Sequence, residues 1–339
     1  MLNKFFSLFL FIMSLFPLFF LFGCSRGSSS EIGGFLGGTK GLLLGVEEGA
    51  PPREILDAGE GSFPVVISLA NVGETGVGPG TDSPLVFVRL AGIDYNSFGL
   101  TNQSAIKVLD EKLEGARRNF DGTALNGDIT YLSFDNLAYE PDVATNVPLT
   151  LRIELCYDYE SYASTTFCMK SDILKHWNDN SVCSIVGSRP VGNSGSPLHI
   201  TSVDEKAVND NTVQINFVIE HVGNGAFFYR SSSSPSDLCF FGEANPDIDK
   251  FEIFFEPVQK GTYDIKCPRL DNQSSSSEGI HGVIKMIGNA PITVSCYVSR
   301  LTSTSVQAYT DLINIRMRYR YGGVVELPIT VLANLYSEN

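Results

Sequence analysis

The chain has 339 residues, 43% of them hydrophobic and only 18% charged, with a net charge of −14. That apolar content excludes wholesale disorder, and the length accommodates two domains of ordinary size. The acidic balance excludes the basic footprint that nucleic acid requires, and it argues against a polybasic patch on anionic lipid.

Lys4 is the only charge before Cys24, and the apolar run Phe5–Phe22 spans 18 residues. A short basic start, an apolar stretch and a small residue ahead of a cysteine mark residues 1–24 as a signal peptide or membrane anchor. Leu21-Phe22-Gly23-Cys24 resembles a lipoprotein processing site, in which the Cys24 thiol takes the lipid. The run also lies near the short limit, roughly 17–25 residues, for a membrane-spanning helix, so an uncleaved anchor is the alternative. Either way the membrane is an expected partner, and the expected address is the cell envelope, on the outer face of the cytoplasmic membrane. Residues 25–40 are rich in Ser and Gly and are expected as a flexible spacer.

From Leu42 onward, alternation with a period of two dominates, which is the strand signal. "FPVVISLANVG" (63–73), "SPLVFVRLAGI" (83–93), "GDITYLSFDN" (127–136) and "VPLTLRIELCYDYE" (147–160) are bounded by Gly, Pro, Asn or Asp. "SAIKVLDEKLEGARR" (104–118) has a Ser cap and good helix formers, and "SDILKHWNDN" (171–180) suits a helical turn or two. A parallel α/β fold would need a helix after nearly every strand, so the chain is expected to be all-β.

The pattern repeats. "VISLANVG" ends at Gly73 and "NFVIEHVG" at Gly223, 150 residues later; Tyr157-x-Tyr159 returns as Tyr319-x-Tyr321, 162 residues later. Residues 187–197 between the copies are expected as a linker. The expected architecture is two tandem Ig-like antiparallel β-sandwiches, 41–186 and 198–339, behind the N-terminal segment. Strands ending in Asn-x-Gly and in Tyr-x-Tyr before a hairpin resemble the CARDB-type, Ig-like modules of archaeal cell-surface proteins. The "CYDYE…C" stretch is similar to one in uncharacterised exported proteins of small-genome archaea. The resemblance implies a fold and an extracytoplasmic address, and it brings no catalytic residues.

Without Cys24, six cysteines remain: Cys156, Cys168, Cys183, Cys239, Cys267 and Cys296. An even set in an exported chain allows three disulfides. Cys156 and Cys168 are equidistant from Tyr162 and would pair across a hairpin centred there, with Cys168–Cys183 as the rival. Cys267 and Cys296 lie on apolar strand faces that suit a buried bridge.

"GNSGSP" (192–197) resembles the "GDSGGP" of chymotrypsin-like serine proteases, but the only upstream histidine, His176, is 18 residues away, and Ser194 reads better as a turn residue. The four histidines are scattered, without metal-ligand spacing. His221, in the slot of Asn71 in the repeat, reads as a turn cap. Asp210, Asp247 and Asp249 are acidic loop positions without a calcium-loop motif. No catalytic residue, cofactor or metal site is therefore expected. Consecutive phenylalanines cannot share one sheet face, which makes Phe228, Phe240 and Phe255 candidates for contact with a surface protein or glycan. Arg316, Arg318 and Arg320 share the polar face of the last strand, and Asn102 and Asn272 begin glycosylation sequons. The expectation is a non-enzymatic, tethered surface protein for adhesion, envelope structure or partner recognition, with a glycan- or calcium-binding accessory module as the alternative and a serine hydrolase as a remote one.

Overall fold

Val147–Lys170 contains no glycine or asparagine, and Ser161-Tyr162-Ala163 at its middle offers no residue suited to the positive φ of a tight hairpin. In the computed structural model, which describes residues 34–176, 182–230, 239, 245–301 and 308–333, this run is one uninterrupted 24-residue strand. The hairpin expected around Tyr162 does not form. Cys24, Phe240 and the N-terminal apolar run lie outside the described residues.

The strands, in chain order, are β1 (Leu42–Val46), β2 (Glu54–Leu56), β3 (Phe63–Asn71), β4 (Val86–Ala91), β5 (Ile106–Val108), β6 (Arg117–Arg118), β7 (Ala124–Leu125), β8 (Ile129–Leu137), β9 (Val147–Lys170), β10 (Gly187–Arg189), β11 (Val191–Asn193), β12 (Leu198–Asn209), β13 (Thr212–His221), β14 (Ala226–Phe228), β15 (Lys250–Pro257), β16 (Tyr263–Lys266), β17 (Asp271–Ser276), β18 (Gly279–Lys285), β19 (Ile292–Arg300) and β20 (Ala308–Leu332). One helical turn, Ile173–His176, lies within the stretch where it was expected. No helix forms over 104–118. There Leu109 N donates to Val86 O and Leu113 N to Val77 O, so tertiary pairing outcompetes helix propensity.

Apart from the two-stranded β6-β7 ribbon, three sheets carry the fold. β1-β3-β8 and β10-β12-β13-β19-β16 are the smaller two; the large one runs β17-β18-β15-β20-β9-β4-β5, with β11 on β9 and with β14 and β2 on β20. The pairing is antiparallel except for β2, which runs parallel to β20. Inward residues of all three sheets form one continuous core, from Ile67 and Leu69 through Tyr159 to Phe217 and Val294.

The repeat is visible in the register. Ile67 lies between Val46 and Leu132, as Phe217 lies between Val203 and Val294. β5-β4-β9 is matched by β18-β15-β20. The two long strands then pair with each other along their whole length, Tyr157 opposite Tyr321 and Tyr159 opposite Tyr319. The halves therefore share their largest sheet rather than standing in series. Residues 187–197, expected as a linker, include β10 and β11, and Ser194, Gly195, Ser196 and Pro197 are buried. The described end of the expected spacer is likewise held: the Glu74 carboxylate accepts the backbone N–H groups of Leu36, Gly37 and Gly195 at 2.9, 3.1 and 2.6 Å.

The disulfides are Cys156–Cys239, Cys168–Cys183 and Cys267–Cys296. Cys156 and Cys168 cannot meet, because they lie twelve residues apart on the same straight strand. The rival Cys168–Cys183 bridge forms instead. Cys267–Cys296 joins the residue after β16 to β19 inside the core, as its apolar surroundings suggested.

Candidate functional site

β9 and β20 divide their side chains by parity. Odd positions supply the inner face, where Tyr157, Tyr159, Tyr319 and Tyr321 are all buried. Their hydroxyls tie neighbouring loops to the sheet: Leu42 N donates to Tyr157 Oη at 3.1 Å, Tyr159 Oη donates to Gly195 O at 3.1 Å, and Gly225 N donates to Tyr321 Oη at 2.7 Å. Burial raises all four phenols above their ordinary pKa. Gly73 and Gly223 pass so close to Tyr159 Oη and Tyr321 Oη that neither has room for a Cβ. His221 meets Tyr321 Oη at 3.1 Å, while Asn71 Nδ2 donates to Thr75 O at 2.9 Å. Both residues at this repeat position fasten a turn.

Even positions supply the outer face, and there the sheet is charged. Arg320 Nε lies 3.0 Å from Asp158 Oδ1, and Arg230 Nε lies 3.0 Å from Asp158 Oδ2. Arg318 Nε is 2.9 Å from the fully buried Glu160 carboxylate, which Arg316 approaches at 3.7 Å. Arg316 and Arg318 also reach Glu256 and Glu252 on β15, at 3.4 and 3.6 Å. Burial raises the Asp158 pKa despite both arginines, and it lowers that of Arg320.

Beside this lattice stands an aromatic column. The Arg316 guanidinium lies 4.0 Å over the Phe254 ring, and His281 stacks on Phe254 with centroids 5.1 Å apart. A groove of about 360 Å³ opens next to it, lined by Phe35, Tyr162, Ser164, Glu256, Asn314 and Arg316. Tyr162 Oη donates to Glu160 Oε2 at 2.5 Å, and burial next to that carboxylate holds the phenol well above its usual range. The face offers forked donors, carboxylates and an aromatic edge, which is the equipment of recognition.

The sequence identified Arg316, Arg318 and Arg320 correctly as one face, but not as the centre of an ion-pair lattice. Their partners Asp158, Glu160, Glu252 and Glu256 sit on alternating positions of their own strands; parity was a usable signal, and pairing between distant strands was not.

The aromatic candidates need correction. Phe255 points inward, 4.7 Å from Phe217, and Phe228 is buried with Phe87, Cys156 and Cys239. The outward member of the Phe254-Phe255 pair is Phe254. Ser194 is buried; its Oγ accepts from Tyr162 N at 2.9 Å and lies 3.5 Å from Ser196 Oγ. Asp247 lies 3.7 Å from Lys250, and the Asp210 carbonyl accepts from Ile173 N. Among the described residues no group of three or more His, Cys, Asp or Glu side chains is placed to hold a metal ion. Asn102 and Asn272 are both exposed.

No protein-family model matches the chain, and a search of curated proteins finds no match to it.

Proposed function

We propose that the protein is a non-enzymatic extracytoplasmic surface protein, held at the cell envelope by its N-terminus, which presents the outer face of its shared sheet to a partner. The observation that carries this reading is the half-exposed array of Arg316, Arg318, Phe254, His281, Glu252 and Glu256 in a chain of net charge −14. Three disulfides are compatible with an oxidising, extracytoplasmic compartment. No helix among the described residues is long and apolar enough to cross a membrane.

Protease treatment of intact cells tests the address: digestion without lysis is expected, and full protection would overturn it. Cys24→Ser separates the two tethers. It releases the protein or blocks its maturation if Cys24 carries lipid, and changes nothing if the apolar run is an uncleaved anchor.

The groove favours one second reading, a glycan-binding module of the envelope. Tyr162, Ser164, Asn314, Glu256 and Arg316 present hydroxyl, amide, carboxylate and guanidinium groups around it. On a glycan array this reading expects discrete binding that Arg316→Ala removes, whereas the partner-protein reading expects none.

A further inference from the structure

The two halves differ at one matching place. In the second half, β10 pairs with β12 and β11 pairs with β9, so residues 187–193 step from the smaller sheet to the larger. That step closes one side of the sandwich. β11 covers the β9 edge at Ala163, Ser164 and Thr165, and Arg189 on β10 binds Glu205 at 2.6 Å. Ser188 Oγ donates to Asp204 at 2.8 Å.

The repeat locates the same slot in the first half. Val46 and Val203 occupy equivalent register positions, so Glu47-Glu48 answers to Asp204-Glu205. Tyr319 and Tyr321 answer to Tyr157 and Tyr159, so Val325, Glu326 and Leu327 answer to Ala163, Ser164 and Thr165. No strand fills this slot among the described residues. Away from β9, β20 pairs with β14 up to Gly322 and with β2 from Thr330 onward, and among the described residues nothing pairs with it between them. Two cavities flank the open edge. One of about 220 Å³ lies among Leu44, Tyr157, Gly225, Tyr321, Gly323 and Val325. The other, about 610 Å³, is lined by Val46, Glu47, Glu48, Pro52, Leu327 and Ile329. Glu47 and Glu48 are exposed and have no ion pair among the described residues.

We propose that the β20 edge from Gly323 to Leu327, ahead of Pro328 with its missing N–H, receives an extended segment of a partner protein, which adds as a strand and places an arginine against Glu47-Glu48. The occupant's chemistry follows from the one the chain supplies to itself in the other half: an arginine, then small or β-forming residues whose backbone pairs with the sheet. Main-chain hydrogen bonds supply the affinity, while the acidic pair and the cavity beside Gly323 fix direction and register. This goes beyond the recognition face proposed above, which lies on the surface of the sheet and not on its edge. Failure here would leave the protease test of surface exposure unaffected.

The probe is a labelled peptide with the sequence of residues 188–197, Ser-Arg-Pro-Val-Gly-Asn-Ser-Gly-Ser-Pro, titrated by fluorescence anisotropy into the full-length protein in mild detergent. Saturable binding is expected. Glu48→Lys, an exposed change that leaves folding intact, should weaken it about tenfold, and replacing the peptide arginine by glutamate should restore it on that variant. Gly323→Leu has open space around its Cβ and should abolish binding by filling the cavity. Absence of saturable binding, or binding that neither variant alters, would overturn the proposal.

Discussion

Asp158 and Arg320 lie opposite each other on β9 and β20, 3.0 Å apart, with side chains only 4% and 3% exposed. The repeat that matches Tyr157 with Tyr319 also makes these two residues counterparts. Identical residues here would set like charges together; a single chain whose copies have diverged can place opposite charges at the centre of the shared sheet.

Asp158 also holds Arg230 at 3.0 Å, so removing its carboxylate withdraws a buried counter-charge from two arginines at once. Asp158→Ala is expected to cost about 3–5 kcal/mol in urea unfolding. Combining Arg320→Met with Asp158→Leu should recover most of the loss, because a well-packed apolar pair avoids the desolvation of two ions. A double variant no more stable than the single one would show that the lattice stabilises beyond its pairing.

Glu205 predicts a pH dependence. Burial pushes its carboxyl from the ordinary 4.5 up to about 7, against the opposing pull of Arg189 and the Cys168 N–H. The folded state therefore keeps a proton that the unfolded chain releases above pH 4.5. Stability contributed by this group is complete below that pH, falls as pH rises toward 7 and is level above, a change of roughly 3 kcal/mol at most. Denaturant unfolding from pH 4 to 8 measures it, and Glu205→Gln should flatten that part of the profile.

The bridges differ in the loops they close, with sequence separations of 15 for Cys168–Cys183, 29 for Cys267–Cys296 and 83 for Cys156–Cys239. Loop-closure entropy predicts costs of about 3, 3.6 and 4.5 kcal/mol when each pair is replaced by serine. Non-reducing peptide mapping should recover these three linkages and no Cys156–Cys168 peptide.

Gly73→Ala should destabilise by about 1–3 kcal/mol, because its methyl would overlap Tyr159 Oη and the carbonyls of Gly195 and Lys40. Adding Tyr159→Phe should remove part of that cost, and a double-mutant cycle reads the coupling. Additive effects would place the conflict with the carbonyls alone.

Local order was legible without the fold. Alternation in "FPVVISLAN" and "RIELCYDYES" follows from the two-residue period of a strand, and the matched strand endings reveal the repeat because equivalent turns need equivalent residues. The even cysteine set pointed to three bridges, and the apolar faces around Cys267 and Cys296 were enough to join those two. Tertiary structure alone decided what paired across distance. β9 runs straight past Tyr162 because β20, some 160 residues away in sequence, offers it a partner for all 24 residues. Arg318 finds Glu160 through that same register, and Cys156 finds Cys239 across 83 residues of sequence. Alternation specifies which side of a strand is buried but not its neighbour, so the shared sheet, its charged outer face and the uncovered edge beside Gly323 exist only once the two repeats are packed together.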